Sequence, residues 1–283
     1  MRTNLEKSYK DRIKNIAKDK NFDPAMLWQN IILERFLVRL SKSPYSKHFI
    51  LKGGILLSKL IKINRYTKDL DFAVKEFKET SKTIENIMDK IINTNIKDGF
   101  NFSKIKIEDM PHPHMKYPGK RVYMIGYFGK TRFKVTIDLA FGDLIDPLNT
   151  TLPLTHGKKE ALFESSISLS CYPIEFIFAE KLHAIIERGR YNSRMKDFHD
   201  LHSIILQKGN NLPSNIENVI KMVFEHRQTE LILPIVFSNQ AIADLQNFWD
   251  NYLQGLKINH KMPEKLPNII QIINDWLNKN TKL

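Results

Sequence analysis

The spacing of apolar residues predicts three helices and a short strand in the first hundred residues. Asp23 and Pro24 are typical of a helix start, and apolar residues surround most of the helix that follows, which indicates that it is buried. A short strand leads through a double glycine into a second helix, and Ser81 is expected to cap a third. The predicted helices span 24–40, 55–60 and 81–92, and the strand spans 48–51.

From residue 102 the apolar period changes to two, which predicts a run of strands. Gly129 and Lys130 supply a two-residue turn between the last two strands, so we expect these two to form a hairpin. After Pro147 the pattern becomes mainly helical. The predicted strands span 102–107, 121–128 and 132–141, and the predicted helices span 173–188, 196–206, 214–226, 238–253 and 263–277.

This order of elements predicts an α+β fold followed by a helical C-terminal domain. We expect N-terminal helices over residues 1–48, an α/β core over 49–150 and the helical domain over 151–283. The segment 109–120, which is rich in proline and histidine, is expected to be an exposed loop that could border a cleft.

Two carboxylates alternate with two apolar residues in the sequence Asp69-Leu70-Asp71-Phe72. In a strand this pattern places Leu70 and Phe72 in a core and both carboxylates on the opposite face. Two like charges ~4 Å apart repel by ~4 kcal/mol at an effective dielectric of ~20. A fold that directs both carboxylates at one point therefore needs a cation, and hard oxygen ligands with open coordination positions suit Mg²⁺.

Asp138 lies on the polar face of a predicted strand in which apolar and polar residues alternate. If this strand is a neighbour of the one with Asp69 and Asp71, three carboxylates converge, enough to hold two divalent ions or one ion and a general base. The alternative is that Asp138 is a solvated, outward-facing residue. We favour the site, because Gly142 and Asp143 end the strand just beyond Asp138.

Gly53 and Gly54 stand immediately before a predicted helix, whose first backbone N–H groups attract anions. Backbone without a Cβ lets a triphosphate approach closely. A glycine pair alone fits an ordinary tight turn equally well, but the carboxylates that follow favour a nucleotide site. Lys52 and Lys59 are expected to be solvated, with Lys52 better placed for contact with phosphate.

Lys181 lies on the flank of the apolar stripe of the predicted helix 173–188, so we expect it to point inward. Its ammonium then needs a fixed anionic partner, either a carboxylate or a ligand phosphate. The alternative is a surface lysine that extends to solvent. On the next helix, Asp197 and Asp200 share the inward face; we expect one to hold Lys181 or Arg194 and the other to face substrate.

The composition favours a partner that is a polyanion, because 44 Lys and Arg against 31 Asp and Glu give a formal charge of +13. A lysine- and asparagine-rich composition that only decorates solvated surfaces is the plain alternative. No secretory signal and no membrane-spanning apolar run is visible, so we expect a cytoplasmic protein. A single Cys171 excludes an internal disulfide, and the pairs His112/His114 and His199/His202 lack a third ligand for zinc.

Six segments, in order along the chain, resemble the AbiEii/MenT family of nucleotidyltransferases. They are ERFLVRL at 34–40, FILKGG at 49–54, RYTKDLD at 65–71, ID at 137–138, AEKL at 179–182 and RMKDFHDL at 194–201. The family consists of toxins of type IV toxin–antitoxin and abortive-infection systems. The resemblance implies a DNA polymerase β-like nucleotidyltransferase domain, with a mixed sheet flanked by helices, and a helical C-terminal domain.

The resemblance also implies a role for each matching residue. Gly53 and Gly54 would bind the nucleoside triphosphate, Asp69 and Asp71 would hold Mg²⁺, and Asp138 would be the third carboxylate. Lys181 would contact phosphates and Asp197 or Asp200 would complete the site. The remaining predicted nucleotide-binding residues within the matching segments are Lys52, Arg65, Thr67 and Arg194.

We therefore expect a Mg²⁺-dependent enzyme that transfers a nucleoside monophosphate from a triphosphate to an acceptor, with release of pyrophosphate. Relatives act on the acceptor end of tRNA, so RNA is the expected acceptor, and a toxin would have a separately encoded antitoxin, in relatives a DNA-binding regulator. Two alternatives stay open: a nucleotidyltransferase that acts on a small molecule or a protein, and a non-catalytic, basic RNA-binding module.

Overall fold

The chain divides into two compact units. The structure is a computed structural model that describes residues 2–63, 65, 67–110, 119–142, 145–158, 160–256 and 262–283, without the side chains of residues 2–5 and 104. Unit 1 comprises Met1–Leu60 and Tyr66–Tyr172, and unit 2 comprises Ile61–Arg65 and Pro173–Leu283. The predicted fold class, a mixed sheet with flanking helices and helices at the C-terminus, is confirmed.

Within the described residues, unit 1 contains four α-helices and all the strands. Asp23 caps the second helix as predicted, since its carboxylate accepts a hydrogen bond of 2.8 Å from the N–H of Ala25. The cap of the fourth helix is Thr80 and not Ser81, because the Thr80 hydroxyl accepts from the N–H of Thr83 at 3.2 Å. The helices are α1 (Arg2–Asp19), α2 (Pro24–Lys42), α3 (Gly53–Leu60) and α4 (Ser81–Ile92).

The strands form one seven-stranded mixed sheet in the order β3-β4-β5-β2-β1-β7-β6. β2 lies parallel to β5 and antiparallel to β1, and β4 and β5 form the predicted hairpin. The strands are β1 (Phe49–Lys52), β2 (Asp69–Val74), β3 (Phe100–Met110), β4 (Gly119–Phe128), β5 (Thr131–Phe141), β6 (Leu148–Pro153) and β7 (Ser166–Cys171). Parallel pairing of β2 and β5 brings the segments with Asp69, Asp71 and Asp138 side by side.

Two further features differ from the sequence prediction. The chain after Pro147 is not at once helical, because β6 and β7 pair antiparallel over six residues each. β7 has the alternating sequence SISLSC, in which only one face is apolar, so its strand signal is short and rich in serine. The expected loop at 109–120 is partly strand: its ends belong to β3 and β4, while residues 111–118 lie outside the described residues.

A buried ion-pair cluster fixes α2 to the start of β3. Arg35 and Arg39 of α2 place their guanidinium groups on the carboxylate of Asp98, with N–O distances of 2.7 and 2.9 Å. Burial alone would raise the pKa of Asp98, but hydrogen bonds and charge from the two arginines hold it below its usual value. Charge is therefore compensated locally where α2 meets the sheet.

Unit 2 consists of helices and the short segment 61–65. Its five predicted helices are confirmed, with ends that shift by up to three residues. They are α5 (Ile174–Arg188), α6 (Met195–Lys208), α7 (Ile216–His226), α8 (Asn239–Gly255) and α9 (Leu266–Asn280), and a 3₁₀ turn, Gly189–Tyr191, leads from α5 toward α6. Among the described residues no helix is both long and apolar enough to cross a membrane.

Candidate active site

Three carboxylates converge on one face of the sheet, on the neighbouring strands β2 and β5. Each of Asp69, Asp71 and Asp138 offers a carboxylate oxygen, and these oxygens all lie within 4.8 Å of one another. The register explains this, because Asp71 is directly opposite Asp138 and Asp69 is opposite Thr136. Leu70 and Phe72 are fully buried on the other face, as their alternation with the aspartates predicts.

A row of charged residues crosses five strands through this group. In register order it runs Glu108 (β3), Arg121 (β4), Asp138 (β5), Asp71 (β2) and Lys52 (β1). Directly opposed residues of neighbouring strands share a face, so all five side chains belong to the same side of the sheet. The two adjacent carboxylates therefore have a cationic residue on each side along the row.

Arg121 contacts its neighbour Asp138 in this row through two hydrogen bonds. Its Nε and Nη2 donate to the two oxygens of Asp138, each at 2.7 Å, in a bidentate ion pair. The hydrogen bond with Asp138 is the largest cause that raises the pKa of Arg121 above its usual value. The third carboxylate of the group thus has a protein cation as its partner.

Sequence reasoning missed Arg121, although the signal was present. A two-residue turn at Gly129 and Lys130 pairs Phe128 with Thr131. Counting seven residues back along β4 and seven forward along β5 from that pair reaches Arg121 and Asp138. The predicted hairpin therefore already contained this cross-strand pair.

Gly53 lies against Asp71, and only glycine fits there. Its φ is +69°, and a Cβ built at this position would lie 1.9 Å from Asp71 Oδ2. Both the left-handed backbone and the missing side chain are needed for this approach. Gly53 and Gly54 open α3 immediately after β1, as the predicted sequence of strand, glycine turn and helix requires.

The polar side chains near the glycine turn each have a partner within the protein. Lys52 Nζ lies 5.0 Å from the ring centre of Tyr172 and 3.4 Å from its hydroxyl. The prediction that Lys59 is solvated is wrong, because its ammonium forms an ion pair with the buried Glu34. Thr67 donates a hydrogen bond of 2.8 Å to Asp69 Oδ1, which orients that carboxylate.

The predicted site residues of unit 2 form a buried ion-pair cluster. Lys181 Nζ lies 2.7 Å from Asp197 Oδ1 and 2.8 Å from Asp200 Oδ2. Arg65 places Nε and Nη2 on the two oxygens of Asp200, at 2.5 and 2.7 Å, and Arg194 Nε donates to Asp197 Oδ2 at 2.9 Å. Both carboxylates, which were expected to divide between a cation and substrate, have protein cations as partners.

Burial and pairing act in opposite directions on these groups. Burial alone would raise the pKa of Asp200, but Lys181 and Arg65 outweigh it and lower that pKa to about 2. Burial alone would lower the pKa of Lys181, and the charges of Asp200 and Asp197 hold it above its usual value instead. Asp200 and Lys181 therefore both stay ionised near neutral pH.

The pair His199 and His202 belongs to no metal-ligand group among the described residues. Within the described residues, only Asp69, Asp71 and Asp138 form a group of three or more potential metal ligands. His199 Nδ1 lies 2.9 Å from the hydroxyl of Tyr252. His112, His114 and the predicted strand end at Asp143 lie outside the described residues.

The fold resembles that of two solved proteins from Helicobacter pylori. JHP933 from Helicobacter pylori matches with a TM-score of 0.53 and 16% identity, over 91% of this chain and 95% of that chain. A Helicobacter pylori protein described as a candidate nucleotidyltransferase matches with a TM-score of 0.54 and 15% identity, over 91% and 98% of the two chains. At these identities the likeness shows the fold alone.

A match to a protein-family model identifies the family of the chain. The model described as "Nucleotidyl transferase AbiEii toxin, Type IV TA system" matches residues 35–268. The chain therefore belongs to the AbiEii family of type IV toxin–antitoxin systems, and it is a nucleotidyltransferase. A search of curated proteins found no match.

Gly53→Ala tests the close approach of the glycine turn to Asp71. The variant should lose ~1–2 kcal/mol of stability from the left-handed backbone, and it should bind divalent cations more weakly because the new methyl group displaces Asp71. Urea unfolding and a Mn²⁺ titration followed by electron paramagnetic resonance measure the two effects. The control is Gly255→Ala, where nothing lies within 4 Å of the added Cβ. Wild-type stability and cation affinity in Gly53→Ala would contradict the assignment.

Asp200→Asn tests the buried cluster of unit 2. The variant should lose ~3–5 kcal/mol at pH 7, because Arg65 and Lys181 keep their charge while one carboxylate is lost. The folded-state pKa of Asp200 is depressed to about 2. The contribution of ionised Asp200 to the free energy of unfolding is therefore complete above its unfolded pKa, and it disappears as the pH falls through about 2. The difference in the free energy of unfolding between the variant and wild type should therefore shrink below pH ~4.

Urea unfolding at several pH values measures this, with the exposed Asp244→Asn as a charge-matched control that should change stability by less than ~0.5 kcal/mol. A difference that stays constant from pH 7 down to the acid limit would refute the ion-pair explanation.

Proposed function

We propose that the protein transfers a nucleoside monophosphate from a nucleoside triphosphate to RNA, with Mg²⁺ as the metal. The observation that carries the proposal is the convergence of Asp69, Asp71 and Asp138 beside the glycine turn. Three carboxylates offer only hard oxygen donors, which fit Mg²⁺ and leave coordination positions for phosphate oxygens. The family supplies the reaction type, and the donor set supports the metal.

Each residue of unit 1 has a proposed role. Asp69, oriented by Thr67, and Asp71 hold the cation, which when bound neutralises charge on the phosphates and orients them. Asp138 helps to take the proton of the attacking hydroxyl. Gly53 and Gly54 present bare backbone at the start of α3 to the triphosphate, and Lys52 is the nearby side chain that we assign to phosphate contact.

For unit 2 we propose mainly positioning roles. Contact of Lys181 with the triphosphate stays a prediction, and so do the proposed nucleotide contacts of Arg65 and Arg194. Within their own unit, Asp197 and Asp200 hold Lys181 through ion pairs of 2.7 and 2.8 Å. We therefore assign to these carboxylates the task of fixing the lysine and the arginines in one geometry.

RNA is the acceptor that the surface of unit 2 favours. The end of α5 and the turn that follows it expose Arg188, Arg190 and Tyr191, and Tyr191 is 74% exposed. The guanidinium of Arg190 lies 4.6 Å from the ring centre of Tyr191, so a cation and an aromatic face are presented together. Asn192, directly after the turn, is fully buried, and its Oδ1 accepts a hydrogen bond from the N–H of Arg194. Exposed aromatic rings beside arginines bind single-stranded nucleic acid by stacking and charge.

As the toxin of a type IV system, the protein would have a separately encoded antitoxin. We propose that the pair functions in the cytoplasm, where nucleoside triphosphates and tRNA are available, and that the antitoxin is a DNA-binding regulator. Transfer to the acceptor end of tRNA is the specific reaction we expect of this enzyme.

A transfer assay tests the reaction. The protein is incubated with total RNA, Mg²⁺ and each α-labelled nucleoside triphosphate, and labelled RNA and pyrophosphate are measured. We expect label in RNA with at least one nucleotide, and a loss of at least about a hundredfold in Asp71→Asn, because the cation site is damaged. Asp89→Asn, an exposed change on α4, is the control and should retain transfer.

The fraction that carries the label decides between the acceptors. Label in protein or in a small-molecule fraction would mean that this fraction, and not RNA, contains the acceptor. The proposed reaction type would still stand. No label with any of the four nucleotides, together with RNA binding that is indifferent to Asp71→Asn, would favour the non-catalytic RNA-binding module.

Tyr191→Ala tests the RNA surface separately from the chemistry. In the absence of triphosphate, fluorescence anisotropy with a labelled single-stranded RNA should show binding about tenfold weaker, because one stacking contact is worth ~1–3 kcal/mol. Tyr191→Phe should bind as wild type. Phe248→Ala, which removes another exposed aromatic ring of unit 2, is the matched control. Equal affinities for wild type and Tyr191→Ala would exclude this turn as an RNA contact.

A further inference from the structure

Arg121 lies between two carboxylates in the row of residues that crosses the sheet. On one side is Asp138, a member of the metal-ligand group, and on the other is Glu108 of β3. The side chain of Arg121 is 39% exposed and that of Glu108 is 43% exposed, so neither is locked by burial. An arginine in this position can pair with either neighbour.

The contact with Asp138 places a positive charge next to the site of a divalent cation. The guanidinium uses one lone pair on each oxygen of Asp138, at 2.7 Å, which leaves each oxygen with a further lone pair. An ion bound by Asp138 would lie within a few ångströms of the guanidinium, and two cations at that distance repel. Binding of the ion therefore favours withdrawal of Arg121.

The structure offers a second position for the withdrawn guanidinium. Glu108 is directly opposite Arg121 in the β3–β4 register, on the same face of the sheet. In the present structure Glu108 pairs with Lys106, 2.5 Å away and largely exposed, a partner that solvent can readily replace. Tyr123, two residues along β4 from Arg121, lies on the same face of the sheet.

We propose that Arg121 is an exchangeable counter-ion of the carboxylate group: it holds Asp138 when no divalent cation is bound and moves toward Glu108 when one binds. Arg121 thereby lowers the affinity of the group for divalent cations, and Glu108 partly restores it. The inference rests on the proposed cation site at Asp69, Asp71 and Asp138. It adds a positioning residue that adjusts when the site is filled.

Cation binding without nucleotide is the measurement that tests this exchange. Mn²⁺ titrations of the full chain, followed by electron paramagnetic resonance, give the affinity of wild type and of each variant. Arg121→Gln should bind Mn²⁺ about tenfold more tightly, which corresponds to ~1.4 kcal/mol at 25 °C. Glu108→Gln should bind it about threefold more weakly, because Arg121 then has no carboxylate to receive it.

The double variant separates exchange from a simple effect of charge. If Glu108 acts through Arg121, the Glu108→Gln change has no effect in the Arg121→Gln background, and the double variant binds Mn²⁺ like Arg121→Gln alone. If Glu108 acts only as a distant negative charge, its removal weakens binding equally in both backgrounds, and the exchange is overturned. Thermal melts confirm that the variants are folded.

The remaining outcomes are also decisive. Weaker Mn²⁺ binding by Arg121→Gln would mean that Arg121 holds Asp138 in place for the ion, and unchanged binding would mean that it has no influence; either result overturns the proposal while the cation site stands. If neither wild type nor Arg121→Gln binds Mn²⁺, the proposed cation site falls together with the exchange.

Discussion

Repulsion among three carboxylates is the interaction around which unit 1 is organised. Asp69, Asp71 and Asp138 bring oxygens within 4.8 Å of one another, a geometry that isolated side chains would avoid. The backbone enforces it, because β2 and β5 pair in parallel register and the alternate residues Leu70 and Phe72 are fully buried. The free energy gained by burying the apolar face thus offsets the repulsion among the carboxylates on the other face.

Neighbouring residues adapt to the same constraint. Lys52 and Arg121 stand at the two ends of the adjacent pair Asp71 and Asp138, and positive charge on both sides reduces the repulsion between them. Gly53 leaves room for Asp71 that any larger residue would occupy. Unit 2 shows the contrasting solution, in which buried carboxylates such as Asp200 are each paired with two protein cations. In unit 2 the buried, paired carboxylates support structure, whereas the converging group of unit 1 offers oxygens that suit a cation from outside.

Local sequence patterns were sufficient where the physical cause is local. The period of two predicted which face carries the aspartates, the glycine pair predicted the turn before α3, and the cap at Asp23 followed from its side chain. Patterns failed where the partner is distant in sequence. The burial of Lys59 depends on Glu34, 25 residues away, and the pairing of Arg65 with Asp200 spans 135 residues. No periodicity encodes such contacts, since they arise only when the chain is packed.

The most direct measurement is anomalous diffraction from crystals soaked with Mn²⁺ and a non-hydrolysable nucleoside triphosphate. If the carboxylate group is the catalytic metal site, an anomalous peak should lie within about 2.5 Å of oxygens from Asp69 and Asp71, with phosphate density beside Gly53. A bound triphosphate whose metal lies elsewhere, with no anomalous peak among Asp69, Asp71 and Asp138, would contradict the assignment.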